Sequence, residues 1–407
     1  MTERSVWERV GAVSSVDAVV VGGGTLGAWT ACFLAEAGRS VVLVEAATLG
    51  AGASSRAAGM VRAQGGTEAA IRLGMFSRDF YAGQPDRYPL DSGFVAQGYL
   101  MPCFTDEEVA AAQERIALQR SLGLDVEWWD GDEVDRRRTG LAPGVTSGAS
   151  YAAGDGYIDA PRNVLAYTAA LVHLGVAVRE RCAFTGLRVE DGHVVAVETS
   201  AGPIETHAVV LTGGPDLARV GELAGARVVA GGTRHQVVVT EPVPGVDVHA
   251  LPMVFDVTSG IYWRPGDDGG LLWGMSNPDE QPGPGLEVDW PYFEKMRERV
   301  GDLYPATRGL GVRRAWAATI DYTPDHLPII GPLVRPDGRV DGAVVASAGG
   351  HGMMWGPGVS RATADLVLDG RTDLLDLTDL GLDRFDADGN SRLAADPIAL
   401  PFPHRTR

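Results

Sequence analysis

A glycine triplet with a carboxylate downstream is the first place in this chain where residue type and spacing suggest chemistry. In Gly22-x-Gly24-x-x-Gly27 the first glycine permits a tight turn and the second lets a phosphate approach the main chain. The third lets a helix pack closely on a strand. A helix opening there, with Thr25 and Leu26 in its first turn, presents free N–H groups and positive potential to an anion. Glu45, followed by Ala46, ends the next apolar run, and its carboxylate can accept both hydroxyls of a ribose. An acid at that point disfavours a 2′-phosphate, so the spacing points to a dinucleotide. Cysteine and histidine, by contrast, offer little. Cys32, Cys103 and Cys182 form no CxxC, and the 8 histidines show no HxxxH, so no zinc or iron–sulfur site is indicated.

A second Gly/Ser-rich loop, Gly50-Ala-Gly-Ala-Ser-Ser-Arg-Ala-Ala-Gly-Met-Val-Arg62, follows almost at once. A nicotinamide dehydrogenase has no need of it. A flavin does, because its ring extends past the pyrophosphate and must be wrapped. Ser54, Ser55, Arg56, Ala58, Gly59 and Met60 are therefore candidate contacts of FAD, as are Phe184 and the pair Gly213-Gly214 behind a later apolar run. Gly349-Gly-His-Gly352, with Met353 and Met354 after it, brings flexible backbone to a flat ring. His351 is a candidate ring-facing donor, and a helix starting near Pro357 would aim its positive end at a reduced flavin. For a substrate anion, Arg62, Arg234 and Arg264 are the candidate clamps, because a planar fork binds two oxygens of a carboxylate.

The elements that position these residues can be read from periodicity. Asp17–Val21 and Ser40–Glu45 read as buried strands around a small-residue helix, Ala28–Ala37, a unit of about 30 residues like a βαβ crossover. Pro161–Gly175 reads as a helix, and Leu187–Thr199 as a hairpin turning at Asp191-Gly192. Ala208–Leu211 and Gly342–Ala348 repeat the buried-strand pattern near the far end. Between them, from Gln236 to Trp273, β-rich segments are broken by Pro and Gly. An α/β (α+β) architecture accounts for this. A Rossmann-like FAD-binding domain is assembled from discontinuous segments (residues 1–84, 151–222 and 313–372). A β-rich substrate domain (residues 85–150 and 223–312) is inserted, and residues 373–407 form an acidic surface tail.

Composition agrees with a folded enzyme. Gly 54 and Pro 24 accompany 45% hydrophobic residues, which is ample material for a core. A net charge of −18 argues against nucleic acid or an anionic membrane as partner. The uncharged run Ala18–Ala35 is as long as a membrane span, but its glycines and β-branched start favour the strand–turn–helix unit. Few, scattered cysteines suit a reducing cytoplasm. Asp386-x-Asp388-x-Asn390 imitates the start of a calcium loop, with Ser391 and Pro397 where glycine and glutamate are required.

On five segments in order the chain resembles the D-amino-acid-oxidase-like FAD superfamily, which includes glycine and sarcosine oxidases and sarcosine and dimethylglycine dehydrogenases. Those segments are the N-terminal fingerprint, Gly52–Gly59, Gly260-Ile-Tyr-Trp-Arg-Pro265 with Gly270–Gly274, Tyr322-Thr-Pro-Asp325 with Pro328–Gly331, and Gly349–Gly352. The resemblance implies that Tyr262 lines the substrate cavity and that the last two segments return under the flavin. It also exposes departures. The cysteine that links FAD covalently in monomeric sarcosine oxidases falls at Ala318, so the flavin is expected to be non-covalent. A carboxylate-binding lysine falls at Met354, an oxygen-activating lysine at Leu272 and a histidine at Ser276, so sarcosine specificity does not carry over. Trp263, Trp273, Met353, Met354 and Trp355 could form an apolar substrate wall.

The expected activity is oxidation of a C–N bond in an amino acid or a secondary or N-methyl amine. Hydride would pass to the flavin N5, and the imine would hydrolyse in water. Tyr262, His351 and Arg62 are the candidate catalytic residues, with Arg62, Arg234, Tyr262, Arg264 and Met354 around the substrate. Oxygen or another acceptor would take the electrons. The alternatives are an FAD-bearing subunit that passes electrons to a hetero-oligomeric partner, and C–O oxidation of a hydroxy acid.

Overall fold

Strands Ala18–Val21 and Val41–Val44 are buried at every position, as β-branched runs covered on both faces must be. They lie side by side in a ten-stranded sheet in the computed structural model, which describes residues 15–398. Residues 1–14 and 399–407, the outer ends of the first flavin segment and of the acidic tail, lie outside the described residues. Five strands run parallel in the order Gly338–Ser347, Val209–Leu211, Ala18–Val21, Val41–Val44, Ala177–Arg179. Helices Thr25–Glu36, Ala160–His173 and Gly356–Asp369 cover one face. The hairpin Phe184–Glu190 and His193–Thr199 joins the same sheet beside Gly338–Ser347, through His193 and Asp341, and contributes to the core on the other face. It turns through Asp191 (φ 50°) and Gly192 (φ 82°), the two positive-φ residues of the expected tight turn.

The second sheet has eight strands. Their order is Val312–Tyr322, Gly231–Thr240, Leu271–Met275, Ile261–Pro265, Met253–Asp256, Tyr99–Cys103, Gly148–Ala152 and Glu127–Asp130. Strand Val312–Tyr322, expected in the flavin domain, pairs along its length with Gly231–Thr240 and so belongs to this second sheet. Alternation divides the residues of this sheet between two faces. Val238, Trp263, Trp273 and Leu100 pack against helix Trp290–Leu303 through Tyr292, Phe293 and Met296. Val237, Val239, Tyr262, Tyr99 and Phe255 face the other way, towards Met60 of the first unit.

Two expectations are corrected here. Trp263 and Trp273 belong to the helix-covered face and cannot form a substrate wall, and Trp355 packs with Ala70, Leu73 and Val359. The tail is also more than a surface wrap. Its aspartates Asp373, Asp376, Asp379 and Asp383 are exposed, but Leu375, Leu380, Arg384, Asp396 and Ile398 are buried. Arg384 donates to both carboxylate oxygens of Asp325, at 2.7 and 3.0 Å, so a buried bidentate pair ties the tail to the Thr323–Leu327 segment that packs against Gly349. The calcium-like run closes on itself, with the Asp386 carboxylate accepting N–H groups of Asp388 and Asn390. Among the described residues no cluster could hold a metal, and no helix is long and apolar enough to cross a membrane.

Candidate active site

The glycine triplet lies between strand Ala18–Val21 and helix Thr25–Glu36, and the space it lacks explains its composition. Gly22 has φ +103°, and a Cβ there would lie 2.4 Å from the Thr212 carbonyl oxygen. A Cβ on Gly27 would lie 1.9 Å from the Gly22 carbonyl oxygen, so only glycine lets this helix sit on this strand. Gly24 caps the helix without a side chain, leaving first-turn N–H groups at Leu26 and Gly27 for an external anion. Ser54 Oγ accepts the Thr25 N–H at 3.0 Å and so ties the second glycine-rich loop to the same helix end. One Glu45 oxygen accepts the Gly23 N–H at 2.7 Å, which orients the carboxylate beside the loop.

A cavity of about 470 Å³ runs from this loop across the strand ends to the inward face of the second sheet. At one end are Gly22, Gly24, Thr25, Leu26, Gly27, Glu45, Ala46, Ser54, Arg56, Gly213 and Gly214. Further along come Ala58, Gly59, Met60, Ala318 and the loop Gly350, His351, Gly352, Met353, Met354. At the far end are Arg62, Tyr99, His235, Phe255 and Tyr262. A cradle without Cβ atoms, unsatisfied helix N–H groups and an oriented carboxylate are the donor and acceptor set that an adenine dinucleotide requires. These residues therefore fit FAD.

Four expected contacts are not among the lining residues. Ser55 ends the short 3-10 turn Ala53–Ser55, in which Ser54 is the residue that bonds the helix. Phe184 is buried in the apolar layer with Val42, Val44 and Cys182. Arg234 points away from the cavity, donates to Glu280 at 3.0 Å and to the Glu287 carbonyl at 2.9 Å, and so holds an outer loop. Arg264 is a strut, donating to the Ala58 carbonyl at 2.8 Å with its guanidinium carbon 4.4 Å over the Tyr157 ring.

His235 is the main residue missed. Adjacent residues of a strand face opposite ways, so if Arg234 points out then His235 points in. Its Nε2 lies 2.5 Å from Tyr262 Oη and its Nδ1 2.6 Å from Ser276 Oγ. Burial lowers the imidazole pKa to about 4, so the ring is neutral at physiological pH. It accepts at one nitrogen and donates at the other, making Tyr262–His235–Ser276 a continuous chain of exchangeable hydrogens. Burial holds the Tyr262 phenol well above its ordinary range. His351, also buried, has its pKa lowered to about 3 by burial and by the nearby Arg62 charge. Asp321, also missed, lines the cavity under the glycine loop. Its carboxyl accepts the Ser347 hydroxyl at 2.7 Å, and burial raises its pKa.

Arg62 differs from the other two arginines. It is 3% exposed, and among the described residues it makes no ion pair. Its terminal nitrogens donate to main-chain carbonyls of Gln64 and Ile398, and Nε has no partner. Asp155 and Asp396 are near enough to feel its charge, but no carboxylate among the described residues takes up its fork, which borders a cavity that admits a ligand.

Fold and site thus define a dinucleotide-binding flavoprotein with a second, β-rich unit over the reactive end. Residues 17–366 match the family described as DAO, FAD dependent oxidoreductase, and the chain belongs to that family. It is 28% identical over 366 residues to glycine oxidase of Geobacillus kaustophilus, covering 86% of this chain and 92% of that one. It is 27% identical over 373 residues to mitochondrial sarcosine dehydrogenase of Mus musculus, covering 88% of this chain and 40% of that protein. The chain therefore spans less than half the length of that relative. Among solved structures, L-proline dehydrogenase from P. horikoshii superposes with a TM-score of 0.83 at 25% identity, covering 91% of this chain and 98% of that one.

Proposed function

We propose that this protein oxidises the C–N bond of an amino acid or N-substituted amino acid, with the substrate carboxylate on Arg62. The observation that carries this reading is the buried Arg62 guanidinium, which contacts no carboxylate among the described residues, in the same cavity as a neutral Tyr262–His235 couple. FAD, held by the Gly22–Gly27 loop and Glu45, would supply the acceptor for a hydride from the substrate α-carbon, and the resulting imine would hydrolyse in water. The chain's own part is positioning and proton management. Arg62 fixes the carboxylate end by a bidentate, charge-assisted contact. An amine is mostly protonated in water and must lose that proton before its α-C–H bond weakens. Tyr262 Oη donates to the neutral His235 Nε2, so no cation lies beside the amine and the phenol oxygen keeps a lone pair for an N–H of its deprotonated form, the proton having gone to water. Tyr99, Phe255 and Met354 exclude water from the reacting bond.

FAD is held without a covalent link in this reading. Ala318 lines the cavity, and Cys32, Cys103 and Cys182 are buried elsewhere. Acid precipitation should release all yellow colour into the supernatant, and flavin left on the pellet would contradict this. A second reading, an FAD-bearing subunit working with a partner, is favoured by one relative. Sarcosine oxidase subunit beta of Rhodobacter capsulatus is 25% identical over 397 residues, covering 94% of this chain and 92% of that one. Anaerobic bleaching of the purified chain by a panel of N-methyl, D- and L-amino acids separates the two. Bleaching without a partner supports the enzyme acting alone, and peroxide on admitting air identifies oxygen as acceptor. Colour that no carboxylated amine removes would overturn the first reading.

A further inference from the structure

Arg62 is fixed by a part of the chain far from it in sequence. Its Nη2 donates to the carbonyl of Ile398 at 3.2 Å, and its guanidinium carbon lies 5.3 Å over the Phe255 ring. Ile398 is fully buried and packs in one cluster with Met60, Tyr99, Met101, Phe255 and Tyr262, four of which line the cavity. The segment is anchored behind Arg62 by Asp396. That carboxylate accepts the Ile398 N–H at 3.0 Å and packs closely against Gly66. Gly66 leaves no slack, because a Cβ there would meet Asp396 Oδ1 at 2.4 Å and Pro397 Cδ at 2.6 Å.

The chemistry of this contact is selective. A guanidinium has five N–H donors, and main-chain carbonyls occupy two of them. A carboxylate in the place of the Ile398 carbonyl would neutralise the fork and compete with any incoming anion. A carbonyl orients it and leaves its charge available. Fixing the fork in advance also removes the side-chain ordering that a ligand would otherwise have to impose.

We propose that the C-terminal segment Asp396–Ile398 is a positioning element for the substrate carboxylate, acting through Arg62. The inference rests on the reading of Arg62 as an anion clamp, and the test keeps the two apart. Full-length FAD-loaded protein is titrated with acetate and with acetamide, its neutral counterpart, each followed by perturbation of the flavin spectrum. Two variants disturb the segment. Truncation after Ala395 removes the carbonyl, and Asp396→Asn keeps chain length and volume while weakening the anchor, so it decides the matter if the truncated chain does not fold. The expected result is normal flavin content, an acetate dissociation constant raised about 10- to 100-fold, and acetamide binding within about twofold of the parent. Loss of acetate and acetamide binding in equal measure, or loss of FAD, would mean a merely structural role and overturn the proposal. Arg62→Ala is the third arm. If it leaves acetate binding unchanged, the clamp reading falls and this inference with it. If it weakens acetate binding while Asp396→Asn matches the parent, the inference alone falls.

Discussion

Replacing Gly27 or Gly352 by alanine adds the same methyl group to the wall of the same cavity, with different expected results. At Gly27 the new Cβ would lie 1.9 Å from the Gly22 carbonyl oxygen and 2.7 Å from Thr212 Oγ1. Restoring ordinary contact means lifting helix Thr25–Glu36 off its strand by about 1 Å, an overpacking cost of about 1–3 kcal/mol. That shift also moves the first-turn N–H groups away from where phosphates would bind. At Gly352 no atom of the protein lies within 4 Å of the added carbon, and the backbone is outside the positive-φ region. Alanine there should leave the FAD-free protein intact or stabilise it by about 0.4–1 kcal/mol, through the unfolded chain. The methyl would instead project into the cavity that, in the proposed reading, holds FAD. Thermal unfolding of the FAD-free proteins and fluorescence titration with FAD distinguish the two. Gly27→Ala should lose both stability and affinity, whereas Gly352→Ala should lose about tenfold in affinity alone. Equal stability of the two apoproteins, or parental FAD affinity in Gly352→Ala, would refute the reasoning.

Further outcomes follow from the buried polar groups. His235 and His351 have pKa values lowered to about 4 and about 3, against an ordinary value near 6.5. The unfolded chain therefore takes up protons first as pH falls. Their contribution to stability is complete above about pH 6.5 and declines towards pH 4 by about 1.4 kcal/mol per unit for each histidine. Urea unfolding at several pH values measures this, and His235→Gln should halve that part of the slope. Tyr262→Phe removes the oxygen proposed to accept from the substrate amine and should slow anaerobic flavin reduction about 10- to 100-fold. Reduction at the parental rate would remove Tyr262 from the site. Arg384→Met strands the Asp325 carboxylate and should cost about 3–5 kcal/mol of stability, most of it recovered when Asp325→Leu is added. A single variant as stable as the parent would show that the pair is not closed in solution.

Local physical necessity made much of the nucleotide end legible. Gly22, Gly24, Gly27 and Glu45 lie within one βαβ unit, where a short spacing translates directly into a shape, and the same is true of the hairpin at Asp191-Gly192. The apolar runs at Asp17–Val21, Ser40–Glu45 and Gly342–Ala348 announced buried strands for the same reason. The substrate end was less legible. Three arginines carried the same chemical argument, and only Arg62 reaches the cavity. His235 was hidden beside Arg234, and its role depends on which strand face turns inward.

The amino-acid sequence alone determined that this chain wraps a dinucleotide, because backbone space and helix-end charge are properties of a few adjacent residues. It did not determine which side chains meet across the two sheets. Tyr262 reaches His235 because their strands share an inward face, and Ile398 reaches Arg62 from the other end of the chain. Strand Val312–Tyr322 joined the second sheet by pairing with Gly231–Thr240. Such contacts depend on register and long-range pairing, which are settled by the packing of whole layers and leave no periodic trace in either partner.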